Sequence, residues 1–179
     1  MVAPPYNRVG QVSNKIVLKE KLLKLFYEDL SKQYTVREIA RILNESHSSV
    51  QHNLKQLKEC GIINLENKWI DSFRNRYFKR DYYIRKILFS GLIEHLEKEL
   101  AASAIILFGS FSKGESIKES DIDIFVECAR DKKLDLKKYE RKLEHKIELF
   151  LRPKITLLPK NLLNNVVNGV KLKGYFTIK

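Results

Sequence analysis

Only two cysteines occur in the 179 residues, Cys60 and Cys128, and they form no Cys-x-x-Cys pair. That excludes a disulfide framework and leaves free, mostly buried thiols in a reducing cytoplasm as the expectation. No apolar run approaches the length that spans a bilayer, and the N-terminus has no signal-peptide hydrophobic region, so the reading is of a cytoplasmic chain with no membrane partner. Histidine is scarce as well. His47 and His52 share a helix with no companion Cys or Asp to complete a zinc site, and His95 and His145 fall on expected helices. All four are expected at the surface or facing nucleic acid. Internal repeats and low-complexity segments are also missing.

What the chain has in excess is positive charge. The formal net charge is +12, and residues 1–90 carry 17 Lys and Arg against 9 Asp and Glu, while residues 91–179 carry 17 against 13. A basic excess in the N-terminal half suits contact with a phosphate backbone, although a lysine-rich surface of ionic networks gives the same balance. With 44% hydrophobic residues the chain can build two small cores. Residues 1–13, with Pro4, Pro5, Asn7 and Gly10, read as a flexible tail. Residues 14–31 read as a helix, and 81–100 as a continuous connecting helix with Ile84, Ile87, Leu88, Leu92, Ile93 and Leu96 on its apolar face. The alternative role for that connecting helix is a homodimer seam.

Between these segments lies a helix-turn-helix pattern. Thr35-Val36-Arg37-Glu38 has the Thr-x-x-Glu form of a capping box, Asn44-Glu45 makes a turn, and Ser46 caps a second helix that stops near Gly61. On that helix Val50, Leu54 and Leu57 form one stripe, and the opposite face is centred on Ser48, His52 and Lys55, with Gln51 beside them. Short polar and basic groups there suit a recognition helix in a major groove. The following residues read as strands Ile62–Leu65, Lys68–Ile70 and 76–79, joined through 71–75, with Arg74 and Arg76 in a wing. Residues 14–80 thus resemble a winged helix-turn-helix of the bacterial and archaeal regulator type, which implies double-stranded DNA as partner. Use of such a domain for protein docking is the rival reading.

The chemistry-bearing pattern lies further on. A short apolar run, Ala104 to Phe108, ends at Gly109-Ser110; Lys113-Gly114 follows, then Ser120-Asp121-Ile122-Asp123. In a strand, residues i and i+2 share a face, so Asp121 and Asp123 project together while Ile122 and Ile124 enter the core. Two carboxylates so close repel each other unless a hard cation such as Mg²⁺ lies between them. A Gly-Ser turn supplies backbone N–H groups and a hydroxyl for phosphate oxygens. Metal and phosphate grips meeting at two strand ends point to nucleotidyl transfer.

These residues resemble the signature of the minimal nucleotidyltransferases of the DNA polymerase beta superfamily, over roughly residues 100 to 179. The family carries arginine where this chain has Lys113, which keeps the charge without the bidentate fork. The resemblance implies a third metal-binding carboxylate on the next strand. After a charged helix expected over 131–146, Ile147–Leu151 reads as that strand, with Glu148 as its acid; Glu127 and Glu144 rank lower. It also implies that Gly109, Ser110 and Lys113 bind nucleotide, and that Asp121, Asp123 and Glu148 hold Mg²⁺. Leu162 to Gly174 is similar to the family's closing helix and glycine turn. Asn168-Gly169 is expected to form a left-handed cap, and 175–178 a short strand.

The expected fold is α+β: a winged helix-turn-helix joined by a helix to a small mixed-sheet α/β nucleotidyltransferase domain at 101–179. The implied activity is transfer of a nucleoside monophosphate from a nucleoside triphosphate, ATP by preference, to a hydroxyl acceptor. Few residues remain for an acceptor domain. The acceptor is then a macromolecule, such as a partner protein in the manner of toxin-antitoxin pairs, or the domain only senses nucleotide within a DNA-binding regulator.

Overall fold

A computed structural model of the protein describes residues 7–130 and 132–177, with side chains from Val17 onward. The chain divides into two compact units, Met1–Asp71 and Ser72–Lys179.

The first unit opens with helix α1 (Asn7–Glu28). The tail expected over 1–13 lies partly outside the described residues, and from Asn7 the backbone is already helical. Leu18, Leu22, Phe26 and Tyr27 of α1 are buried, whereas Val17 is exposed. Helix α2 (Val36–Leu43) starts at Thr35, whose hydroxyl accepts the Glu38 N–H at 3.2 Å. It ends at Asn44 in the left-handed conformation, φ 53°. Helix α3 (His47–Glu59) is capped by Ser46, whose hydroxyl accepts the Ser49 N–H. Val50, Leu54 and Leu57 are buried as the stripe requires, and α3 packs against α2, whose Ile39 and Ala40 are buried too.

The wing differs from expectation. A short hairpin closes within residues 62–70: Ile70 N–H donates to the Ile62 carbonyl, Asn64 N–H donates to the Lys68 carbonyl, and Ile63 bridges Trp69. Its tip is shaped by the Asn64 side chain, which accepts the Glu66 and Lys68 N–H groups, and by Asn67 at φ 57°. No strand forms at 76–79. Ser72 instead caps helix α4 (Phe73–Ser90), accepting the Asn75 N–H, and neither Gly nor Pro interrupts the run that follows. Arg74 and Arg76 therefore lie on a helix and not in a wing.

The connecting helix is not continuous either. Gly91, at φ 84°, ends α4 and begins α5 (Leu92–Leu100), and Lys142 donates to the freed Phe89 and Ser90 carbonyls at that break. Among the described residues four strands follow: β1 (Ala104–Phe108), β2 (Ile122–Glu127), β3 (Ile147–Arg152) and β4 (Val170–Gly174). Their order in the sheet is β3-β2-β1-β4; β1 is antiparallel to β2 and β4, and β2 is parallel to β3. Helix α6 (Gly109–Lys113) follows β1, α7 (Lys137–Leu143) precedes β3, and α8 (Lys160–Val167) precedes β4.

One sheet face carries Ile106, Phe108, Phe125 and Phe150, and packs on Ile155, Leu158 and Val166. The other carries Ile105, Leu107, Ile122, Ile124 and Val126, all buried. The helix expected over 131–146 is shorter, because Glu144 takes up φ 63° and closes α7 after Leu143; Asp131 lies outside the described residues. Asn168 and Gly169 do not form a left-handed cap: Asn168 stays at φ −87°. Gly169 is needed for close approach, since a Cβ there would lie 2.5 Å from the Leu107 carbonyl oxygen. The last strand is β4, not 175–178, of which Ile178 lies outside the described residues.

Burial predicts how the first unit responds to truncation. Leu54→Ala should lower its stability by about 2–5 kcal/mol, whereas Leu65→Ala, at an 86% exposed hairpin tip, should change it by less than about 0.5 kcal/mol. Thermal melts followed by circular dichroism check the contrast.

Candidate active site

The parallel pairing of β2 with β3 sets Asp123 directly beside Glu148, and the antiparallel pairing of β1 sets Phe108 on its other side. Paired residues share a sheet face, so the two carboxylates leave the sheet together. The sheet beside them is apolar: Phe108 meets Phe150 edge-on at 5.2 Å between ring centres. Asp121 lies two residues upstream, just ahead of the strand.

Electrostatics show that the three acids share one site. Burial, the Glu148 charge and then the Asp121 charge push the Asp123 carboxyl up to about 6. Nothing offsets this push. Among the described residues no Lys, Arg or His forms an ion pair with Asp121, Asp123 or Glu148, in a chain of net charge +12. Among the described residues no three His, Cys, Asp or Glu side chains, these acids included, lie close enough together to hold a metal ion as they stand.

Gly109 meets Asp123. At φ 67°, a Cβ on this residue would lie 1.9 Å from Asp123 Oδ2, so only glycine lets the turn after β1 reach the carboxylate. The next two serines differ. Ser112 is buried, and its hydroxyl donates to the Gly109 carbonyl at 2.8 Å. The hydroxyl of Ser110 has no hydrogen-bond partner among the described residues. Lys113 is exposed and forms no ion pair among them. Three oxygen acids are the donor type that a hard cation takes, and the Asp123 carboxylate itself fills the space that a side chain at Gly109 would need.

The lower-ranked acids are occupied elsewhere. Glu127 accepts the Ser103 hydroxyl at 2.9 Å and the Ile155 N–H at 2.8 Å, which ties the far end of β2 to the turn before α8. Glu144 closes α7.

Several supporting residues escaped the sequence reading. Gly114 is at φ 73°, and a Cβ there would lie 2.0 Å from the Arg76 carbonyl oxygen, so the signature glycine lets the loop lie against α4. Arg76 pairs with Glu115 at 2.6 Å, and the fully buried Lys79 donates to the Ser116 carbonyl. His145, expected on a helix and at the surface, lies beyond α7 and is 6% exposed. Lys79 lies among aromatic and basic residues and His145 among charged ones, and neither setting gives a periodic signal that distinguishes burial from exposure.

In the first unit Ser48, Gln51, His52 and Lys55 are all exposed on α3. With Val36, Leu54 and Lys58 they line a depression of about 530 Å³. His52 and Gln56 share a hydrogen bond of 3.1 Å, and Lys55 lies 4.0 Å from Glu59.

Comparison with known proteins places both units. Residues 89–174 match the nucleotidyltransferase domain family, and residues 19–64 match the arsR family of bacterial regulatory proteins. A Methanocaldococcus jannaschii protein bearing the name "Putative protein adenylyltransferase" is 34% identical over 70 residues, which cover 39% of this chain and 69% of that relative. No solved structure gives a significant match.

The raised Asp123 carboxyl has a signed consequence. Well below its ordinary value of 3.8, Asp123 is protonated in folded and unfolded chains alike and adds no penalty. Between about pH 4 and 6 the unfolded chain ionises while the folded chain keeps the proton, so the penalty grows across that window and is full above about 6. Asp123→Asn should therefore stabilise the protein in chelator-treated buffer at pH 8 by about 1 kcal/mol after solvent screening, with the gain disappearing towards about pH 4. Paired melting curves across that range check it.

Proposed function

The chain belongs to the nucleotidyltransferase domain family and carries an arsR-family helix-turn-helix ahead of that domain; from this we propose that it transfers a nucleoside monophosphate from ATP to a hydroxyl of a macromolecular acceptor. The observation that carries the reading is the uncompensated cluster of Asp121, Asp123 and Glu148 against Gly109. Asp121, Asp123 and Glu148 would hold Mg²⁺, which when bound neutralises the triphosphate and favours departure of pyrophosphate. Glu148, exposed at the sheet edge, accepts the proton of the attacking hydroxyl. The Ser110 hydroxyl and the amides at the start of α6 bind the outer phosphates, and Lys113 adds positive charge beside them. The name of the Methanocaldococcus relative supports a protein side chain as acceptor and adenylate as the group moved.

The first unit is proposed to bind duplex DNA through α3. Ser48, Gln51, His52 and Lys55 would meet base edges and phosphates; their exposure on α3 supports this reading. Arg74 and Arg76 leave this proposal, because they belong to α4 and Arg76 is paired with Glu115.

Incubation with α-labelled ATP, Mg²⁺ and the product of the neighbouring gene tests the enzyme reading. Label should reach the acceptor with the parent protein and be lost with Asp121→Asn or Asp123→Asn. Glu148→Gln should slow transfer by at least about a hundredfold while retaining most ATP affinity. Equal labelling by parent and both aspartate variants would defeat the assignment. For the DNA reading, Lys55→Ala should weaken duplex binding to all sequences and lower the salt slope by about 1. An unchanged affinity and slope would make this unit a docking module.

A further inference from the structure

Asp121 precedes the first residue of β2, so the strand ladder does not place it. Its side chain is exposed, and among the described residues no hydrogen bond or ion pair holds its carboxylate. Its direction therefore depends on the peptide that precedes it. That peptide is gripped. The Ser120 carbonyl faces His145 Nδ1 at 3.0 Å, and since a carbonyl only accepts, Nδ1 carries the proton. The imidazole is 6% exposed and is held edge-on by Phe111 at 4.9 Å and by Tyr83 at 5.7 Å between ring centres.

The loop leading to Ser120 is closed on itself and anchored. Ile117 N–H donates to the Ser120 hydroxyl at 2.9 Å, Ser120 N–H returns to the Ile117 carbonyl at 3.0 Å, and Lys79 holds the Ser116 carbonyl. On the far side of Asp121, Ile122 N–H donates to the Lys146 carbonyl at 2.8 Å, one residue beyond His145. The segment that carries His145 thus grips Asp121 from both sides.

We propose that His145 is a positioning residue of the transfer site: its ring N–H fixes the Ser120 carbonyl and so the direction in which Asp121 presents its carboxylate beside Asp123 and Glu148. This rests on the reading of the three acids as a cation site. Groups one step removed from a metal commonly alter its affinity by about 10–100-fold when lost, because they orient the ligands themselves.

The test uses the full chain and Mn²⁺ as probe, with calorimetric titration as readout and melting curves in chelator-treated buffer as control. His145→Phe keeps a ring between Phe111 and Tyr83 but removes the donor. It should melt within a few degrees of the parent and bind Mn²⁺ about tenfold more weakly. His145→Asn restores an N–H near the Nδ1 position and should bind Mn²⁺ more tightly than His145→Phe and His145→Ala. Parental Mn²⁺ affinity in His145→Phe, together with loss of binding in Asp121→Asn, reduces His145 to packing and overturns the proposal while leaving the cation site intact. Parental affinity in Asp121→Asn overturns the cation site itself. If His145→Phe does not fold, the Asn and Ala variants decide: equal Mn²⁺ affinity in those two overturns the proposal.

Discussion

Mutual repulsion among Asp121, Asp123 and Glu148 is the constraint around which the second unit is arranged. The register of β2 against β3 puts two of the acids side by side, and the turn at Gly109 presses a third backbone segment against the Asp123 carboxylate. Such an arrangement destabilises the folded chain above about pH 6, and no basic side chain among the described residues relieves it. Three acids left unpaired in a strongly basic protein are what supports the proposed cation site. The rest of the unit backs and anchors them. Phe108 and Phe150 back it with apolar surface, while Lys79, Arg76 and His145 anchor the loop that leads into Asp121.

Much of this was legible from local pattern. The apolar run before Gly109, the Asp-x-Asp alternation and the lone acid of Ile147–Leu151 each follow from period-2 strand logic, and the structure places all of them on strands or at strand ends. The two helices around Asn44 follow from Thr35, Ser46 and the Val50, Leu54, Leu57 stripe, and each cap forms as its residue type requires. These features depend on residues close in sequence.

What was not legible depends on distant partners. Arg76-Tyr77-Phe78-Lys79 has the aromatic content of a strand, yet the hairpin closes earlier, at Asn64 and Asn67, and Ser72 caps a helix. Gly91 stands inside an otherwise helical pattern, and its left-handed backbone is what divides 73–100 into two helices. Gly114 and Gly169 look like turn residues in sequence. Their strongest constraint is a carbonyl from another element, from Arg76 in one case and Leu107 in the other. The same holds for Lys79 and His145, whose burial is decided by the loop they grip and not by their neighbours in the chain.

If the acid cluster takes up a cation, the Asp123 carboxyl reports it directly. Carboxyl-carbon NMR of selectively labelled protein gives the titration of that one group with and without Mg²⁺. The midpoint should lie near 6 in chelator-treated buffer and fall well into the ordinary carboxylate range when Mg²⁺ is added. A midpoint already in that range, and unmoved by Mg²⁺, would contradict the cation site.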